Sequence, residues 1–167
     1  MKKTKVLSWV SVVIWLAVIF LFSAQPAEES NGVSTGIVQI LASVVNMVYP
    51  LDMESGASLI FMEQLNGALR TCAHGTVYLI LAMLVLNALR LSSLKGATGA
   101  TGSRGSKYSI GFREFLLTMA FCVLYAVTDE IHQLFVPGRA CELFDILVDS
   151  SGALLGNLLF FLFKKKF

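Results

Sequence analysis

Hydrophobic and polar positions in this chain are grouped into whole segments, so the pattern reads as long apolar blocks set between polar connectors. Val6 to Phe22 is uncharged and contains Trp9 and Trp15. At about 1.5 Å per residue it approaches the ~30 Å thickness of a bilayer core and predicts a span over 6–24. A second block, 72–89, is interrupted only by His74, Thr76, Tyr78 and Asn87 and stops at Arg90. A third, 115–131, begins after Arg113 and Glu114 and closes on Asp129 and Glu130. The fourth, 142–163, carries Asp145 and Asp149 in its first turns and ends at Lys164, Lys165 and Lys166. These blocks predict an all-α polytopic membrane protein: a four-transmembrane-helix bundle forming one domain over residues 1–167.

Two connectors add detail. Within the outer segment 25–71, Ile37, Ile40, Leu41, Val44, Val45 and Val48 recur at helical spacing after Ser34 and Thr35, which can cap a helix. Such a helix is too short to span and predicts an interfacial or re-entrant amphipathic element, ended by Asn46 to Pro50. The 90–113 connector is rich in Gly, Ser, Ala and Thr between Leu94 and Ser106 and reads as a flexible loop. Lys2, Lys3 and Lys5 before the first block also fit a cleaved signal peptide. The block is longer than such a core, however, and Gln25 and Pro26 suit no cleavage site, so a retained helix is expected.

Composition agrees with the pattern. The chain is 56% hydrophobic and 14% charged, with a mean hydropathy of +0.73, whereas soluble domains carry roughly a quarter charged residues. A formal net charge of +2 with no basic stripe excludes a nucleic-acid partner. Lys2, Lys3, Lys5, Arg90, Lys95, Arg104, Lys107, Arg113 and the terminal lysines fall on one side of a four-span chain. Positive charge marks the cytoplasm, so both termini are expected there, in a bacterial cytoplasmic membrane. Cys72, Cys122 and Cys141 have no metal-ligand spacing; Cys122 reads as a core residue, and a Cys72–Cys141 pair stays open.

Ionisable residues inside spans are costly and mark sites. From Arg90 back to His74 is 90 − 74 = 16 residues, from Arg113 to Asp129 is 129 − 113 = 16, and from Lys164 back to Asp149 is 164 − 149 = 15. Three helices thus deliver ionisable groups to one layer, roughly 23 Å from the basic anchors, in the outer third of the bilayer. Tyr78 shares a face with His74, Asp145 with Asp149, and His132 with Asp129, while Glu130 is expected to point elsewhere. Ser23 and Gln25 close the first span at this level, and Arg139, after the Pro137-Gly138 turn, can reach back over it. Gly152 and Gly156, with Ser151 and Ala153, give the fourth span a small-residue face that suits helix packing or a homodimer.

Tyr125 to Arg139, read as Tyr-Ala-Val-Thr-Asp-Glu-Ile-His-Gln-Leu-Phe-Val-Pro-Gly-Arg and followed by Asp145, Asp149 and Gly152, resembles the signature of the VanZ-like membrane proteins. Phe22-Ser23-Ala24-Gln25 and the Arg70 to Tyr78 stretch around His74 agree in order, while Val33 to Glu63 and Leu94 to Ser106 match only in length and character. The resemblance implies an accessory role in glycopeptide resistance, with reduced susceptibility to teicoplanin. Ser23, Gln25, Arg70, Tyr78, Gln133 and Arg139 are the candidate binding residues.

Three functions fit. One is a non-enzymatic envelope protein binding a phospholipid, a lipoglycopeptide antibiotic or a lipid-linked wall precursor. A second is an intramembrane hydrolase or transferase using His74, Asp129, Glu130, His132, Asp145 and Asp149, with Asp129, His132, Asp145 and Asp149 able in kind to ligate a divalent metal. A third is a small lipid transporter or flippase, for which no inverted repeat is seen.

Overall fold

A computed structural model describes residues 2–48, 56–93 and 111–164. The chain folds as helices α1 (Lys2–Ser23), α2 (Ala27–Val48), α3 (Gly56–Ser93), α4 (Phe112–Gln133) and α5 (Leu143–Lys164), with no strand among the described residues. Four of them, α1, α3, α4 and α5, are long and apolar enough to cross a membrane. Their outward faces carry Leu7, Val13, Leu21, Leu124, Leu147 and Leu158, each at least 48% exposed. An apolar surface of that extent is unstable in water and stable in lipid, so the molecule is a membrane protein.

α3 is the hub, touching each of the other helices. The core gathers Val12 and Ile19 of α1, Tyr78, Leu81, Ala82, Val85 and Ala88 of α3, Cys122 and Ala126 of α4, and Ala153 of α5. Without a hydrophobic force between helices in lipid, contact depends on close approach, which the alanines and Cys122 permit. Polar stitches add direction. Trp15 Nε1 donates to the Val77 carbonyl at 2.9 Å and Trp9 Nε1 to Ser92 Oγ at 3.1 Å, while Tyr125 donates from its hydroxyl to the Leu16 carbonyl at 2.8 Å.

The α3–α5 contact is the closest of all. A Cβ on Gly152 would collide with the Gly75 carbonyl, and one on Gly156 with that of Leu79. The small-residue face of α5 is therefore filled at Gly152 and Gly156 by the α3 backbone.

Two expectations need correction. α2 begins at Ala27, directly after Pro26, and not at Ser34; Ser34 lies within it, its Oγ donating to the Ser30 carbonyl at 3.2 Å. Proline presets the first turn of a helix, and Glu28 there complements the dipole, which outweighs capping by Ser34 or Thr35. With 22 residues α2 is longer than the short element that the sequence pattern suggested. The second block, expected over 72–89, is the distal part of a 38-residue helix. At about 1.5 Å per residue α3 is ~57 Å long, nearly twice a bilayer core. Its first half runs beside α2, where Arg70 Nη1 donates to Asn31 Oδ1 at 2.8 Å. The 94–110 part of the flexible connector, the α2-terminating residues 49–50 and the lysines at 165 and 166 lie outside the described residues.

Cys122 is fully buried, whereas Cys72 and Cys141 are exposed and unpaired. Cys122→Ala removes one sulfur from a core already lined with alanines. It is expected to cost no more than about 1–2 kcal/mol and to leave any ligand binding unchanged, which thermal unfolding and binding in parallel would check.

Candidate functional site

The end of the bundle away from Arg90, Arg113 and Lys164 is built around α3 and α5. Arg70, His74 and Tyr78 follow one another at four-residue spacing and so form one stripe along α3. Gly75 packing against Gly152 brings that stripe onto α5. His74 Nδ1 then lies 3.7 Å from Asp149 Oδ1, with Asp149 fully buried and His74 22% exposed. At that separation the pair is an ionic contact longer than a hydrogen bond. Neither Asp149 oxygen has a hydrogen-bond partner, and the fully buried Tyr78 hydroxyl has none either.

α4 contributes the second side. Asp129 is 5% exposed, beside Ser23 and Gln133 and within electrostatic range of Asp149 and His74. Ser23 and Gln133 are themselves buried, and Ser23 Oγ and Gln133 Nε2 lack partners. Glu130 does not turn away as its sequence position suggested. It is fully buried, and its Oε2 accepts the Glu142 N–H at 2.9 Å. The start of α5 leaves backbone N–H groups without helical acceptors, and a carboxylate near the end of α4, twelve residues upstream, supplies one. Glu130 Oε1 stays unpaired.

The connector from Leu134 to Glu142 closes the top. Pro137 and Gly138 occupy the middle of a tight turn closed by the Arg139 N–H on the Val136 carbonyl at 3.1 Å, with Gly138 at φ 73°. Only glycine adopts that conformation readily after proline. The Pro137 carbonyl accepts the Ala27 N–H at 3.2 Å, fastening α2 to the turn. Arg139, half-buried, donates from Nε to the Gln25 carbonyl at 3.3 Å, so Gln25 enters the site through its backbone. Burial lowers the Arg139 pKa from its ordinary value and the Arg70 guanidinium lowers it further, while Asp129, Asp145 and Glu130 hold it up. Asp145, in the first turn of α5, is partly exposed and also within range of His74.

His132 stands apart. Its ring tilts against Phe20 with centroids 4.6 Å apart, and its Nδ1 is unpartnered. Among the described residues no three His, Cys, Asp or Glu side chains converge as metal ligands. The set Asp129, His132, Asp145 and Asp149 is thus not gathered into one group of ligands, His132 lying apart. An apolar groove of about 380 Å³, lined by residues including Lys5, Trp9 and Ile14, lies at the other end of α1 from Ser23. It holds no chemistry and is a lipid-facing surface.

A family model described as VanZ/LLP1 matches residues 8–164. The chain belongs to the VanZ/LLP1 family. The match runs through α1 to α5 and contains each residue of the cluster from Ser23 to Asp149. No curated protein and no solved structure matches the chain.

One residue escaped the sequence reading. Asn157 is fully buried in α5 with both amide atoms unpartnered, two turns inward from Asp149. Its signal was a lone amide in an apolar run next to Gly156.

Proposed function

We propose that this VanZ/LLP1 protein presents the His74–Asp149 cluster at the outer face of the bacterial cytoplasmic membrane, with both termini in the cytoplasm. There it binds the polar part of a phospholipid, a lipid-linked wall precursor or a lipoglycopeptide such as teicoplanin. The observation that carries this reading is the layer of buried polar atoms without partners: Asp149 Oδ1 and Oδ2, Tyr78 Oη, Ser23 Oγ, Glu130 Oε1 and Gln133 Nε2. Each orphan costs about 1–3 kcal/mol, a penalty that a ligand or water with complementary donors would relieve. The orientation is supported by the basic starts of α1 and α4 and the basic ends of α3 and α5, which share one end.

Two measurements test it. An impermeant maleimide added to intact cells should label Cys141 and spare a cysteine placed at Ser103; the reverse result would overturn the orientation. In phosphatidylcholine nanodiscs, full-length protein should bind short-chain phospholipid or teicoplanin, and Asp129→Asn should weaken binding about tenfold, the ~1.4 kcal/mol expected of one charged hydrogen bond. Equal binding by Asp129→Asn at normal abundance would remove the site from recognition.

A second reading, hydrolysis or transfer at a headgroup, is favoured by one feature. Asp149 sits where it would orient His74 as a general base. Release of a headgroup product from labelled lipid, lost in His74→Gln with binding intact, would select it.

A further inference from the structure

Arg70 and Arg139 come from distant parts of the sequence yet lie within electrostatic range of each other, each tied to the chain around the start of α2. Arg70 is held by Asn31 and Arg139 by the Gln25 carbonyl, both neutral oxygens. Among the described side chains no carboxylate is found within ion-pair distance of either guanidinium. Two like charges within electrostatic range of each other, each held by a neutral acceptor, can form a site for an anion. Both side chains are partly exposed, so the site is open to one.

Depth identifies the anion. Arg70 lies 90 − 70 = 20 residues from Arg90 along one continuous helix. At about 1.5 Å per residue this is ~30 Å, the thickness of a hydrocarbon core. If Arg90 marks one interface, Arg70 stands at the other, at the level where phospholipid phosphates lie. We infer that Arg70 and Arg139 form a clamp for the phosphate of a lipid headgroup or lipid-linked precursor, seating the rest of that headgroup over His74 and Asp149. Guanidinium forks match phosphate oxygens in pairs, which a single lysine does not. The inference rests on the headgroup-binding reading above and adds the chemical class of the ligand.

The test uses full-length protein in phosphatidylcholine nanodiscs and a fluorescent short-chain phosphatidic acid. Arg70→Gln or Arg139→Gln should each weaken binding about tenfold and the double variant about a hundredfold. Arg139→Lys should retain part of the affinity, and Arg113→Gln, at the opposite end, all of it. The same headgroup-free diacylglycerol should bind poorly to every form. Competition by inorganic phosphate assigns the clamp to phosphate itself, whereas competition by phospholipid alone assigns it to lipid; either upholds it. Wild-type affinity in a folded double variant would overturn the clamp while leaving the headgroup reading standing. Failure of the wild-type protein to bind any of the probes would overturn both.

Discussion

Gly152→Ala and Gly156→Ala are expected to collapse the amount of folded protein, by far the largest effect of any single methyl group in the molecule. In each case the added carbon meets a backbone carbonyl of α3, at Gly75 or Leu79. A carbonyl in a helix cannot swing aside as a side chain can, so the helices must part along the most extensive contact in the fold. Overpacking typically costs about 1–3 kcal/mol, and a backbone clash belongs at or above the top of that range. Gly75→Ala provides the counterpart across the same interface. Its Cβ would meet Val148 at 3.7 Å, an ordinary contact, and it should be tolerated. Gly67→Ala, with nothing within 4 Å, should gain roughly 0.5–1 kcal/mol from helix propensity alone. Abundance and thermal unfolding of the four variants in detergent would check the order. Tolerance of Gly152→Ala would mean that α3 and α5 are not packed through their backbones.

How much of this was legible follows from which forces leave a trace in sequence. Hydropathy blocks fixed the four membrane-crossing helices, since lipid imposes a length and a polarity on anything that spans it. The common depth of His74 and Asp149 could be counted because a helix converts residue number into distance; their 3.7 Å contact on two different helices is the outcome. The α2 boundary was misplaced because two start signals competed, Pro26 and Ser34, and periodicity alone does not rank them. The continuation of α3 through Gly56 to Thr71 left no sharp mark, as Glu63, Asn66 and Arg70 break the apolar run without breaking the helix. Rotation about the helix axis was the least visible quantity. Glu130 and His132 flank the face of Asp129, and only the return of the chain through Glu142 decides that Glu130 joins the buried side while His132 meets Phe20.

Asp149→Asn should separate the two meanings a buried charge pair can have. Were His74–Asp149 a lock, removing one charge would strand the other, and breaking a well-formed buried pair costs about 3–5 kcal/mol. The geometry argues for a much smaller loss. The 3.7 Å separation is too long for a hydrogen bond, both Asp149 oxygens lack such a partner, and His74 is partly exposed. Interhelical polar contacts in membranes average only about 0.6 kcal/mol, well below what the glycine contacts supply. Asp149→Asn is therefore expected to shift stability by less than about 1–2 kcal/mol, and Tyr78→Phe, which deletes an orphan hydroxyl, to be neutral or stabilising. Groups whose removal costs the fold little, yet which stand buried and unsatisfied on four helices, are the mark of stability given up for function. Ligand binding should accordingly fall at least about tenfold in Asp149→Asn while thermal unfolding barely moves. The double variant His74→Leu with Asp149→Leu completes the cycle: a lock would regain stability and function together, whereas a site would regain at most stability. Parallel loss of folding and binding in Asp149→Asn, recovered in that double variant, would reassign the pair to structure.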